Sequence, residues 1–140
     1  MTARGEDVLA YLEHAITARE EAARAVGFDT IETGDYLWGA KYLVLRRGDV
    51  SKAAPEMDGS LADHIALSDP ESVLRRCAAD RKLIAEHHPD GMGGCVTCAR
   101  PEESEEDSEG NSVSFRTAIP HPCPTLRHVA EGYGRTEGER

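Results

Sequence analysis

The stretch His87-His88-Pro89-Asp90-Gly91-Met92-Gly93-Gly94-Cys95-Val96-Thr97-Cys98 decides how the second half of this chain is read. Two histidines stand where a helical pattern runs into a proline, which disfavours further helix. A glycine-rich turn then delivers Cys95 and Cys98 at C-x-x-C spacing, so two thiolates can reach one ion from a tight bend. A third cysteine, Cys123, lies 25 positions after Cys98 and precedes Pro124 at the start of a short helical pattern. There the positive helix end favours a thiolate. One histidine, the pair and Cys123 make a Cys₃His set, a common composition for four-coordinate structural zinc. The expected ligands are His87, Cys95, Cys98 and Cys123, with His88 and His121 in reserve. Four protein donors leave no position for water, so such an ion holds structure rather than doing chemistry.

The need for an ion follows from composition. Residues 86–125 carry few large apolar side chains beyond Phe115, Ile119 and some valines. Hydrophobic burial there cannot offset chain entropy, whereas zinc binding contributes on the order of 10 kcal/mol in small fingers. Simple reduced thiols and a redox pair are the competing readings. A redox motif of the thioredoxin kind opens a helix after a strand, and this pair has a glycine turn before it and an acidic loop after it. Cys77 falls on a helix face and reads as a small buried hydrophobe.

Working outward, Asp69-Pro70-Glu71 opens the helix that ends near His87 or His88. Asp69 caps free N–H groups, and Pro70 suits the first helical position. Val73, Leu74, Cys77, Leu83 and Ile84 form its buried side; Arg75, Arg76, Arg81 and Lys82 form a basic outer face. Upstream, residues 5–27 read as a first long helix with a stripe of Val8, Leu12, Ala15, Ala22 and Val26 and with Ile16 beside it, stopped by Gly27. Residues 28–60 read as a β-hairpin or meander plus loop. Its strand formers are Tyr36-Leu37-Trp38 and Tyr42-Leu43-Val44-Leu45, with Trp38 in the core. Val50 to Ser60 is the loop, and Leu61 to Leu67 makes one or two helical turns. Residues 61–131 then hold the second helix and the zinc module, residues 101–112 an acidic flexible loop, Ser112 to Ile119 a short strand, and residues 132–140 a frayed tail. The fold class is α+β, mainly helical, in a single small domain: two long helices, a small hairpin or meander, and a zinc-stapled C-terminal segment with a short last helix.

The 140 residues carry a formal net charge of −10, a mean hydropathy of −0.50 and 5% aromatic side chains. A large core is out of reach, and no run is long and apolar enough for a membrane span. The first residues lack the basic head and apolar run of a signal peptide. With no secretion signal, the four cysteines are expected to be reduced and the protein cytoplasmic. Glu102, Glu103, Glu105, Glu106, Asp107 and Glu109 supply six of the acids, and without them the balance is −4. The acidic charge argues against a general nucleic-acid binder. No G-x-S-x-G, phosphate-cradling loop or H-E-x-x-H is present, so no catalytic constellation is found. His14, His64 and His128 read as surface or capping groups.

His64-Ile65-Ala66, Asp69-Pro70, Val73-Leu74, Arg81-Lys82-Leu83-Ile84, His87, the C-x-x-C pair and Pro122-Cys123-Pro124-Thr125-Leu126-Arg127 together resemble a family of small uncharacterised proteins of actinobacteria and their phages. The resemblance covers roughly Leu61 to Ala130. In that family Pro-Cys-Pro-Thr-Leu-Arg often lies close behind the C-x-x-C; here the acidic segment stands between them. The resemblance implies His87 rather than His88 as ligand and implies no activity.

The functional expectation is a small intracellular zinc-stabilised binding or accessory protein, acting through protein contacts with an unknown partner. Its candidate surfaces are Arg75, Arg76, Arg81 and Lys82 on one side and Glu102, Glu103, Glu105 and Glu106 on the other. A phage-type or host-modulating role fits the resemblance. One alternative is a nucleic-acid-binding zinc protein using the basic face of helix 70–88. A second is a small thiol or zinc enzyme.

Overall fold

Aspartate and proline set where the helices begin. In the computed structural model, which describes residues 3–99, 103–106, 108–115 and 117–136, the Asp58 carboxylate accepts from the N–H groups of Ser60 and Leu61 and starts a short helix. The Asp69 carboxylate accepts from the Ser72 N–H at 2.7 Å and starts a long one. Pro70 and Pro124 occupy first helical positions, where a missing N–H costs nothing. The elements are α1 (Ala3–Ala25), β1 (Thr30–Asp35), β2 (Ala40–Arg47), β3 (Val50–Ala53), β4 (Met57–Asp58), α2 (Gly59–Ala66), α3 (Pro70–Glu86), β5 (Glu103–Glu106), β6 (Ser112–Phe115) and α4 (Pro124–Gly132). The chain is α+β and mainly helical.

Two compact units form: Ile16–Ala79, and Met1–Ala15 with Asp80–Arg140. In the first, β2 is the central strand, with β1 and β3 antiparallel on either side and β4 pairing its N-terminal end. The backbone N–H of Glu71 donates to the Asp29 carbonyl at 3.0 Å, so the start of α3 is tied to the approach of β1. Lys41 and Asp63 join β2 to α2 through a 2.7 Å ion pair. Ile16, Ala23, Leu43, Ala62 and Cys77 are buried. In the second unit, Val8 and Leu12 of α1 bury Ala130 of α4, with Tyr11, Ile84, Val129 and Tyr133 around them. Tyr11 donates to the Tyr133 carbonyl at 3.0 Å, and the Tyr133 hydroxyl donates to Asp80 at 2.7 Å.

The structure corrects several expectations from the sequence. The buried stripe of α1 runs through Val8, Leu12, Ile16 and Ala23, while Ala22 and Val26 are exposed. Tyr36-Leu37-Trp38 is not a strand. It is the reversal between β1 and β2, a turn of 3₁₀ helix over Leu37–Gly39. Trp38 is therefore not core: it is 99% exposed and holds φ 63°, a left-handed conformation costly for any residue but glycine or asparagine. Val50 to Ser60 is not a plain loop, since β3 and β4 extend the sheet. The acidic segment is not all loop, since β5 pairs with β6 in a two-stranded antiparallel sheet from Glu103↔Phe115 to Glu106↔Ser112. The expected strand at Ser112 to Ile119 thus ends at Phe115. Asp107 and the last four residues of the expected tail lie outside the described residues.

Burial pushes the Asp69 carboxyl upward, but donation from the Ser72 hydroxyl and N–H and the Ile31 N–H, with the charge of Arg75, outweighs it and holds the group below the usual carboxylate range. A carboxyl depressed in the folded state stabilises fully above its unfolded value and loses that contribution as pH falls through the folded one. Replacing Asp69 by Ala is expected to cost about 1 kcal/mol at neutral pH in urea unfolding. That difference should shrink as the pH drops below the carboxylate range, and Asp69→Asn should keep most of the cap while losing the pH dependence. A difference that stays constant down to low pH would show that the carboxylate charge is immaterial.

Candidate metal centre

Each donor of the cluster is placed by a local device. α3 ends at Glu86, and the His87 N–H still donates to the Leu83 carbonyl at 3.1 Å, which fixes the imidazole at the helix end. Asp90 organises the turn that follows: its carboxylate accepts from the N–H groups of Met92 at 2.7 Å and Gly94 at 2.9 Å. Those donations hold the carboxyl below its ordinary range. Gly91 and Gly93 adopt φ of 84° and 93°, which other residues take at a steric cost. Gly94 is required for a different reason. A Cβ there would stand 2.5 Å from Asp90 Oδ2 and 3.3 Å from Ala118 Cβ.

The stretch bearing Cys95 lies between two neighbouring segments. The Val96 N–H donates to the His88 carbonyl at 3.1 Å and the Cys95 N–H to the Ile119 carbonyl at 2.8 Å. The His121 N–H donates to the Gly93 carbonyl at 2.9 Å. The Thr97 hydroxyl donates to the Glu86 carbonyl and pins the C-x-x-C loop to the end of α3. Residues 119–121 lead directly into Cys123, the residue before Pro124 of α4. Donors from three stretches of the chain thus meet through backbone pairing, with Leu126 buried against Cys95 and Cys123 and with Leu9, Ile84 and Ile119 around them.

His87, Cys95, Cys98 and Cys123 offer ligand atoms that all lie within 4.8 Å of one another. His87 Nδ1 stands 3.5 Å from Cys95 Sγ, 3.3 Å from Cys98 Sγ and 3.4 Å from Cys123 Sγ. A single imidazole nitrogen has one lone pair or one proton, so it cannot serve three hydrogen bonds at once. Three near-equal contacts instead fit donors arranged about a shared cation. Tetrahedral coordination with bonds of about 2.3 Å to sulfur and about 2.0 Å to nitrogen puts these pairs about 3.5 Å apart. His87 is only 8% exposed, Cys95 and Cys123 are fully buried, Cys98 is half-buried, and all four cysteines are free of disulfides. The donor set therefore fits a metal ion.

The thiols perturb one another as a cluster must. Burial, then hydrogen bonding to Cys123, pushes the Cys98 thiol up to about 11. Burial also opposes ionisation of Cys123, but the Leu126 N–H at the start of α4 and the Cys98, Cys95 and Thr125 side chains draw it below its ordinary value. Cys123 is thus the preferred site of negative charge. A divalent cation bound there would supply the positive charge that all three sulfurs need to ionise.

The reserve ligands stay outside the cluster. His88 is exposed with its Nδ1 3.1 Å from the Pro89 carbonyl oxygen. Both ring nitrogens of His121 are buried without a hydrogen-bond partner among the described residues. His14 and His64 are exposed, and His128 pairs with Glu131 at 3.3 Å. The basic face of α3 is partly neutralised: Arg75 pairs with Glu71 at 2.9 Å and Arg81 with Glu13 at 2.8 Å. Arg76 and Lys82 are exposed. Of the acidic candidates, Glu102 lies outside the described residues, the backbones of Glu103 and Glu105 sit in β5, and Glu106 is exposed. The sequence marks Asp90 to Gly94 as a glycine-rich turn whose Gly93 and Gly94 permit the sharp backbone, but it leaves the roles of the Asp90 carboxylate and of Thr97 unread. An aspartate before a Gly-x-Gly-Gly turn was the available signal for the first; Thr97 had none.

Fold and cluster together define a small α+β protein with a buried Cys₃His arrangement suited to a metal ion. The chain belongs to the family of unknown function DUF6221, whose profile matches residues 5–135. No match is found among curated proteins or solved structures.

Replacing any one of His87, Cys95, Cys98 and Cys123 by Ala is expected to abolish stoichiometric metal binding in native mass spectrometry and to lower the melting temperature. Cys77→Ala should leave the metal content unchanged. Retention of bound metal by the Cys123→Ala protein would remove that sulfur from the ligand set.

Proposed function

We propose that this chain is a zinc-stabilised binding protein that acts by contact with another protein rather than by catalysis. The observation that carries the reading is the closed donor set: three buried or half-buried sulfurs and one imidazole nitrogen, all from the chain itself. Such a set suits zinc in composition and leaves no coordination position for a substrate or a reactive water. The residues that would hold the ion are His87, Cys95, Cys98 and Cys123, and the ion would supply cross-linking rather than Lewis acidity. Among the described residues no second cluster has metal-ligating geometry. Free thiolate ligands belong in a reducing compartment, so a cytoplasmic site of action is part of the proposal. Among the described residues no helix is long and apolar enough to cross a membrane. The resemblance to actinobacterial and phage proteins extends the proposal to an accessory or host-modulating role, by analogy alone.

Lys82 and Arg76 on α3 and the acidic hairpin β5–β6 are the contact surfaces this reading favours. A nucleic-acid role is less favoured, because binding of that kind needs cations that displace counterions, and Arg75 and Arg81 are engaged with Glu71 and Glu13. The hairpin strands pair only with each other among the described residues, so the fold does not draw on them for sheet structure.

Elemental analysis of the purified protein should find one zinc per chain. Thiol titration of the native protein should find few reactive groups, and all four cysteines should react after chelation and denaturation. A protein that purifies without metal and keeps its melting temperature in chelator would overturn the reading. Replacing residues 102–109 by a Gly/Ser linker should leave zinc content and melting temperature unchanged while reducing capture of the partner. A collapse of the melting temperature would show that the acidic segment is structural.

A further inference from the structure

The reversal between β1 and β2 presents a ridge, and the same unit of the chain carries a groove of matching character. Trp38, the only tryptophan, is 99% exposed, and Leu37 beside it is 64% exposed. The backbone at Trp38 holds φ 63° and ψ 30°, a conformation in which an aromatic residue is rarely kept without a functional return. In the unit Ile16–Ala79, Val26, Ile31, Leu67 and Val73 line a groove of about 640 Å³, with Arg19 and Arg76 also at its wall. Leu67 is 80% exposed there. β1 carries the chain about 13 Å from Ile31 to Asp35, so the Trp38 ring at the far end is not the occupant of its own groove. The charges are complementary. Asp35 is exposed beside the ridge, while the groove is lined by two guanidinium groups. A guanidinium face stacks on an indole whether or not its in-plane N–H groups are already engaged.

We infer that the Trp38 ridge of one copy of this chain docks into the Val26/Ile31/Leu67/Val73 groove of a second copy. Each copy carries both ridge and groove, so two copies can exchange the contact reciprocally about a two-fold axis, where a one-way contact would propagate head to tail. Each indole covers about 200 Å². Counted on both surfaces, two such contacts bury about 800 Å² in total, below the standard interface and in the range of weak, transient association. The site lies wholly within residues 16–79 and is independent of the metal; Arg76 at its wall is shared with the partner surface proposed above.

Trp38 reports on its own burial through intrinsic fluorescence. Raising the wild-type concentration from about micromolar to about millimolar, the span of transient affinities, should shift the emission to shorter wavelength and speed sedimentation together. Leu67→Asp, at an exposed position that tolerates a charge, should abolish both effects while keeping the wild-type circular dichroism. Mixing Leu67→Asp protein, which has the ridge, with Trp38→Gly protein, which has the groove and an unstrained turn, should restore a partial emission shift. Emission of a solvated indole with monomeric sedimentation at every concentration would overturn the inference. So would a concentration-dependent shift that survives Leu67→Asp, or a short-wavelength emission independent of concentration.

Discussion

Three sulfurs and an imidazole nitrogen converge within 4.8 Å in a part of the chain with little else to hold it. The turn at Asp90–Gly94, the loop at Cys95–Cys98 and the extended piece before α4 have few large apolar side chains, and their internal hydrogen bonds are short-range or backbone-to-backbone. Hydrogen bonds of this kind add only about 1 kcal/mol each, against a comparable entropy cost for every residue ordered. A metal held by residues 36 positions apart would change that balance, because it would close long loops with one strong node. The elements around it serve the node: α3 presents His87, the glycine turn presents Cys95 and Cys98, and α4 begins at Cys123.

The Ile16–Ala79 unit is held differently. Its sheet is organised by pairing along β2, by the Lys41–Asp63 ion pair and by Asp69, whose carboxylate serves the start of α3 while the Glu71 N–H ties that start to Asp29. Its interior is small: the buried set is dominated by alanine and single leucine, isoleucine and cysteine side chains. A sheet with so little aromatic burial has its largest ring on the outside, at Trp38. That placement is the reverse of what packing alone favours.

Much of the fold is legible in the residues because the signals are local. Asp69-Pro70 names a helix start, His87-His88-Pro89 names its end, and Pro124 opens the last helix. The cysteine cluster is legible because C-x-x-C spacing after a glycine turn lets two sulfurs reach one point, and His87 and Cys123 stand at helix ends. The failures share a cause as well. Tyr36, Leu37 and Trp38 have strand propensity, but the register of β1 against β2, with Asp35 opposite Lys41, leaves those residues to make the reversal, and register is not a local property. Val50–Ala53 is a strand because β2 offers a free edge, again a tertiary reason. Glu103–Glu106 has poor strand propensity and pairs because Ser112–Phe115 stands opposite. The choice of Ile16 and Ala23 over Ala22 and Val26 on α1 turns on a rotation of the helix that alanine-rich periodicity defines weakly.

Zinc K-edge X-ray absorption on the protein as purified reads the coordination sphere itself. One zinc is expected, with three sulfurs at about 2.3 Å and one nitrogen at about 2.0 Å in its first coordination sphere and no water oxygen. An edge showing no zinc, or a sphere with oxygen ligands in place of sulfur, would contradict the Cys₃His zinc site.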